Sequence, residues 1–307
     1  MANNNISVIV PVYYGEKTLD ELTRRVLETT QKLGLNLELM LVNDASPDAS
    51  WEVIKELKNQ HPFIVGINLS RNFGQHYAIS AGLSEAKGDW VVVMDCDLQD
   101  VPEEIEKLYE KAKEGYDVVL AKRKSRKDGF FKKTFSKTFY SVLSYLSGIK
   151  YDAQVANFGI YHNQVIKTIT SLPEKNRFFP SMVKWVGFKQ TSIIVSHSKR
   201  KEGKSSYSFK KLLNLSLDII LSYSDKPLRL TIKLGLFITF TSIIISLITL
   251  YRWYQGEIEV MGYTSLILSI WMLSGIVIFV LGMVGLYIGK IFENVKDRPT
   301  YIIKEKI

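Results

Sequence analysis

Residues 90–100 read WVVVMDCDLQD. A short, unbroken apolar run runs directly into two carboxylates, Asp95 and Asp97, two positions apart. A run of this kind is consistent with a strand covered on both faces. A chain leaving such a strand can aim residues i and i+2 into one crevice. Two carboxylates there offer hard oxygen ligands to a divalent cation, which accepts phosphate oxygens as further ligands. Aspartates at strand ends also arise from turn chemistry alone. The pair therefore takes its meaning from what surrounds it.

The same grammar repeats on either side. Runs 6–12, 37–42, 64–69 and 117–121 read as further strands, and 18–33, 50–59 and 102–114 as helices, with another ending at Glu85. Strands alternating with helices specify an α/β domain with a mostly parallel sheet. Ligands of such sheets bind beyond the carboxyl ends of the strands. The polar clusters lie at those ends: Asp44 with Ser46 and Pro47 after the second strand, Arg71 after the third, and Asp95 with Asp97 after the fourth. These residues are expected to line one crevice. Asp44 can accept an N–H from a nucleotide base, or serve the local turn, a role open equally to Ser46, Asp48 or Ser50. Arg71 can hold a phosphate as a bidentate donor, or stand as a solvated loop arginine.

The chain has 307 residues, 46% of them hydrophobic, and a net charge of +9. The hydrophobic residues are unevenly spread. Residues 1–228 have the composition of a soluble domain, whereas 229–290 are dominated by Leu, Ile, Val, Phe and Gly. Runs 230–250 and 264–289 each reach the roughly 20 residues that cross a hydrocarbon core. Basic residues crowd before the first run and after the second, while 251–263 carries one, Arg252, beside Glu257 and Glu259. The positive-inside rule puts both termini in the cytosol and that linker outside. Segments 129–147 and 205–222 mix aromatics and lysines, as interfacial or core-facing helices do. The basic excess is thus read as a membrane partner. Neither zinc-finger spacing nor an RNA-binding aromatic signature points to nucleic acid. The single cysteine, Cys96, excludes an intrachain disulfide, and its thiol is mismatched to a hard cation. The N-terminal stretch lacks a charged segment followed by a long apolar one, so the front domain is expected to stay on the side of synthesis. The expected organisation is a domain at 1–204, a juxtamembrane segment at 205–228, a two-helix membrane domain at 229–290 and a cytosolic tail at 291–307.

The stretches ISVIVPVYYGEKTL, LVNDASPDAS, LSRNFGQHYAISAGLSEAKGDWVVVMDCDLQDVPEEI and EGKSSYSFKKLLNLSLDIILSYSDKPLRL together resemble family 2 glycosyltransferases of the GT-A fold. The likeness is closest to the polyprenyl-phosphate sugar transferases and covers almost the whole chain. It implies that Pro11, Tyr13 and Glu16 contact the nucleotide and that Asp44 contacts the base. Asp95 and Asp97 become the metal–diphosphate motif, followed by Gln99 and Asp100. Arg123 and Arg126 match basic residues after the fifth strand. Arg200, Lys204 and Ser206 match a loop near the phosphates.

The resemblance implies Mg²⁺ or Mn²⁺, a nucleoside diphosphate sugar with uridine as the default base, and transfer with inversion to a polyprenyl phosphate. A homo-oligomer is a further expectation, with Gly285 and Gly289 as small residues for helix packing. One position departs from the pattern. Relatives often carry an acid where this chain has Asn157, and an amide cannot take a proton. The acceptor phosphate hardly needs a base, because its second pKa is about 6. Asn157 is therefore read as a hydrogen-bond donor to the acceptor, or as the mark of a different membrane-delivered acceptor. A non-catalytic nucleotide-binding scaffold is the alternative from another class.

Overall fold

The computed structural model describes residues 5–123, 143–148, 155–196, 216, 218, 220–221, 224–256 and 262–307. They divide into two compact units, one holding most of residues 1–208 together with 298–307, the other 143–148 with 209–297.

The first unit is built on β1 (Asn5–Val12), α1 (Leu19–Lys32), β2 (Asn36–Asn43), α2 (Ser50–Gln60), β3 (Ile64–Leu69), α3 (Gln75–Glu85), β4 (Trp90–Val93), α4 (Ile105–Lys113) and β5 (Val118–Arg123). It continues through β6 (Val155–His162), α5 (Asn163–Ser171), α6 (Phe179–Trp185) and β7 (Gln190–Val195). The α/β alternation expected from the sequence is present. The eight-stranded sheet runs β7-β5-β6-β4-β1-β2-β3-β8, the last strand being Ile303–Lys306. Strands β1 to β4 are mutually parallel and β5 is parallel to β7, while β6 runs antiparallel between β4 and β5.

The sheet buries both faces, which is why its strands read as continuous apolar runs. Ile6, Val8, Val10 and Val12 pack with Leu19, Leu22, Ile54, Ile105 and Leu108 of α1, α2 and α4. The opposite face of β1 meets α3 so closely that a Cβ on Gly82 would sit 2.5 Å from Ile9 Cγ2. The order of β4, β1 and β2 puts the topological switch at β1, since successive strands leave it in opposite directions. A crevice at the carboxyl ends of β1 and β4 follows.

Strand β8 (Ile303–Lys306) adds an edge strand that the sequence reading of 291–307 did not specify. It pairs antiparallel with β3, and residues 298–307 group with the first unit. Glu305 accepts from the Trp51 indole at 3.1 Å, and Tyr301 donates to Ser84 at 3.0 Å. Gly66 is needed beneath it, because a Cβ there would meet Ile307 at 2.7 Å and Ile54 at 2.8 Å. A four-residue strand with one apolar residue leaves almost no periodic signal.

The second unit contains α7 (Lys226–Tyr254) and α8 (Tyr263–Val295). Both start or end beyond the 229–290 limits expected from hydropathy, because a helix outruns its apolar stretch at the polar ends. Two segments, Lys226–Ile245 and Ser269–Val295, are long and apolar enough to cross a membrane. Their large side chains point outward: Phe237 is 67% and Trp271 76% exposed. Tyr287 donates to the Ser224 carbonyl at 2.8 Å, and Lys226 donates to the Tyr145 carbonyl at 2.7 Å. Most of the segments expected to be interfacial, 129–147 and 205–222, lie outside the described residues.

Candidate active site

The loops after β1, β2 and β4 meet at the switch point. Three of the four non-glycine residues with positive φ among the described residues lie there: Tyr14 at 58°, Ala45 at 49° and Leu98 at 58°. Such conformations persist only where the surroundings enforce them, and they concentrate at ligand sites.

The β2 loop enforces much of this. Tyr14 N–H donates to Ser46 Oγ at 2.8 Å, and Gly15 N–H to Ser50 Oγ at 2.9 Å. Glu16 accepts from Ala49 N–H at 3.0 Å, and its own N–H donates to Asp48 at 3.3 Å. Asp48 also accepts both serine hydroxyls, at 2.5 and 2.6 Å. Burial alone would raise its pKa, but these hydrogen bonds outweigh burial and hold it below the usual 3.8. The knot leaves Tyr13 and Tyr14 projecting, 45% and 66% exposed, as an edge-to-face pair 4.8 Å apart. Pro11 is buried within β1, beside Val42 of β2.

Asp44 is buried at the end of β2. Its two oxygens accept the N–H groups of Phe73 at 2.8 Å and Gly74 at 2.9 Å. Burial raises its pKa above 3.8, opposed by those two N–H groups and by the charge of Arg71. The β2 carboxylate therefore folds the β3 loop. Gly74 takes φ 104°, which a side chain would strain, and α3 begins at the next residue. Arg71 is exposed and lies over the Phe73 ring at 4.1 Å.

Gln75 opens α3 and donates to Asp95 Oδ1 at 2.6 Å. Along 95–100 the burial alternates: Asp95, Asp97 and Gln99 are half-buried, whereas Cys96, Leu98 and Asp100 are buried. Asp95 and Asp97 are thus both partly open on either side of the buried Cys96. Gln99 N–H donates to Asp97 at 3.1 Å. Cys96 sits in the apolar core, and burial pushes its thiol up to about 11. Thr18 fixes the Cys96 backbone carbonyl with a 2.7 Å hydrogen bond. Asp100 is buried, so it is not placed on the open side with Gln99.

Asn157 enters by register. The β4–β6 ladder ends at Val93 opposite Gly159. Two residues beyond that pair on each strand are Asp95 and Asn157, which places them at the same end of the sheet. Arg123 ends β5 beside Val195 of β7. Arg126, Arg200, Lys204 and Ser206 lie outside the described residues. Sequence reasoning missed Gln75, whose only signal was its place at the start of the helix after the Arg71 loop. It also missed the part played by Ser46, Asp48 and Ser50 in shaping the first loop.

Among the described residues no three His, Cys, Asp or Glu side chains gather as a ready metal cage. Asp95 and Asp97 fit a cation that completes its shell from a diphosphate.

The uncharacterized glycosyltransferase YkcC of Bacillus subtilis is 40% identical, across 97% of this chain and 93% of the relative. An undecaprenyl-phosphate 4-deoxy-4-formamido-L-arabinose transferase of Proteus mirabilis is 34% identical, covering 99% and 94%. A prophage-derived bactoprenol glucosyl transferase of Shigella flexneri is 36% identical, covering 98% and 97%. These alignments include the two apolar helices as well as the sheet. Residues 7–169 match the family described as Glycosyl transferase family 2, and with relatives of this similarity along nearly its whole length the chain belongs to that family of glycosyltransferases.

Proposed function

We propose that this enzyme transfers a sugar from a nucleoside diphosphate sugar to a polyprenyl phosphate, with inversion, at the cytosolic face of a membrane. The observation that carries the reading is the half-buried Asp95/Asp97 pair at the switch point, joined by Asn157. The relatives named for bactoprenol and undecaprenyl phosphate support the lipid acceptor. The two apolar helices support a membrane location, and the basic residues before the first and after the second support cytosolic termini with 251–263 outside.

Asp95 and Asp97 would hold Mg²⁺ or Mn²⁺, and such an ion neutralises charge on a departing diphosphate. Gln75 orients Asp95 for that task. Tyr13 and Tyr14 offer aromatic faces to a uridine base, and Asp44 and Glu16 shape the loops around it. Arg71 faces the phosphates, with its guanidinium held over Phe73. Gln99 and Asp100 fix the turn after the aspartates. The acceptor phosphate is already largely ionised at neutral pH, so it needs orientation more than deprotonation. Asn157 supplies a neutral N–H donor there, where a carboxylate would repel the incoming charge. Arg123, Arg126, Arg200, Lys204 and Ser206 are assigned to the phosphate and acceptor groups.

Purified protein, a panel of radiolabelled nucleotide sugars, polyprenyl phosphate and Mg²⁺ or Mn²⁺ test this. The expected result is a lipid-extractable product that disappears with EDTA. Donor hydrolysis without lipid product would overturn the acceptor. Product formation unaffected by EDTA would remove the metal.

A further inference from the structure

The segment 172–178, between α5 and α6, takes no part in the site described so far. Its position follows from topology. Strand β6 starts at the active-site end of the sheet and finishes opposite Trp90, at the far end. Helix α5 starts directly after it, and its nine residues rise about 13 Å. That rise carries the chain back along the sheet, so 172–178 arrives at the end that holds Asp95 and Asn157.

Its side chains are unusual. Among the described residues only seven buried side-chain polar atoms have no hydrogen-bond partner; two belong to this segment, Glu174 Oε2 and Arg177 Nε, and a third, His76 Nδ1, belongs to the α3 residue packed against it. His76 is brought in by Phe178, whose ring stands edge-on to it at 4.6 Å. It follows Gln75, the residue that holds Asp95. Arg177 is anchored by a 3.2 Å hydrogen bond from Nη1 to the Ile169 carbonyl, which fixes the guanidinium and leaves Nε over. Buried polar atoms without partners are costly, and a native fold that retains several in one place has a reason.

We propose that Glu174, Arg177 and His76 form the subsite that grips the sugar of the nucleotide-linked donor, an inference that rests on the nucleotide-sugar reading above. A sugar hydroxyl both donates and accepts, so it can satisfy a carboxylate oxygen and a guanidinium N–H alike. Phe178 adds an apolar ring for the C–H face. The opposite charges of Glu174 and Arg177 favour a neutral polyol over a phosphate, which the glutamate would repel. His76 opens the same helix turn as Gln75, so the subsite is assigned to the strand-end side of the sheet where the diphosphate is expected.

Calorimetry with the full-length protein in detergent and Mn²⁺ tests the proposal. The probes are UDP and GDP and their hexose and N-acetylhexosamine conjugates. The wild type should bind one conjugate more tightly than its bare diphosphate. Glu174→Gln and Arg177→Lys should each weaken that conjugate roughly tenfold or more while holding the bare diphosphate within about twofold. Glu174→Gln is isosteric, and an unchanged thermal midpoint would show it folded. His76→Gln should narrow discrimination between conjugates. Equal weakening of conjugate and diphosphate, or no change in either, would overturn the subsite. A wild type that binds no conjugate sinks both this proposal and the donor reading. Normal conjugate binding without lipid product sinks the acceptor reading and leaves the subsite standing.

Discussion

The loops after β2 and β4 flank the same central strand and both are rich in acid, yet they use their carboxylates in different ways. After β2, Asp44 accepts two backbone N–H groups of the next loop, and Asp48 accepts two serine hydroxyls and two backbone N–H groups. Those acids act as internal scaffolding. After β4, Asp95 and Asp97 are half-buried on the open side of an alternating segment, with Gln75 and the Gln99 N–H among their partners. A buried acid whose oxygens are taken up by a neighbouring loop or by serine hydroxyls shapes that loop, whereas a half-buried acid at the crevice surface keeps area open to a ligand. Motif matching cannot separate the two, because Asp44 and Asp97 look equally well placed in the sequence.

The comparison breaks most visibly at Asp97. Asp97→Ala should lower lipid-product formation by at least about 10²-fold, the scale expected when a group stabilising developing charge is removed. The thermal unfolding midpoint should stay near wild type. An unfolded variant would place Asp97 with the scaffolding acids.

Asp44→Ala should do the reverse in kind. It strips the acceptors from the Phe73 and Gly74 N–H groups, and each unsatisfied buried donor costs about 1–3 kcal/mol. A clear drop in the unfolding midpoint is expected, together with weaker nucleotide binding as the Arg71 loop loosens. Weak binding in a fully stable variant would instead assign Asp44 to direct base contact, as the sequence reading had it.

Gln75 sharpens the contrast on the other side. Gln75→Ala removes the 2.6 Å hydrogen bond to Asp95 and touches no scaffold acid. The expected loss of kcat/KM is about tenfold, with a higher half-saturating Mn²⁺ concentration and an unchanged midpoint. An unshifted metal dependence would show that Asp95 needs no such support.

These assignments show what the sequence could carry. The parallel half of the sheet was legible because strands β1 to β4 are continuous apolar runs ending in polar clusters. The alternation that opens Asp95 and Asp97 while burying Cys96 follows from the same spacing. The apolar helices were legible from length alone. Strand β8 was not, because its pairing is fixed by partners more than 200 residues away, such as Trp51 and Gly66. The sequence left Asp44 open between base contact and a local turn, and could not show that its partners belong to the loop after another strand. Position 157 was visible only as a departure from a pattern, and strand register was needed to set it beside Asp95.

The finest test lies inside the β2 loop, where two neighbouring acids carry opposite signs. Burial raises Asp44 above its usual 3.8 despite the Phe73 and Gly74 N–H groups and Arg71. The folded protein then holds that proton more tightly than the unfolded chain, so stability falls as pH rises through the window just above 3.8. Asp48 is lowered, because its hydrogen bonds from Ser46, Ser50 and Glu16 outweigh burial. Its contribution is present above 3.8 and is lost as pH falls below that value. His76, buried and lowered to about 4, adds a loss as pH drops from 6.5 toward that value, so each variant is read as a difference from wild type. Unfolding midpoints measured from pH 3 to 7 should show Asp48→Asn flattening the acid limb below about 3.8. Asp44→Asn should flatten the opposite trend just above it. Curves shifted in the same direction by both variants would mean that the two acids share one role, and the contrast between scaffold and site would then have to be redrawn within the β2 loop itself.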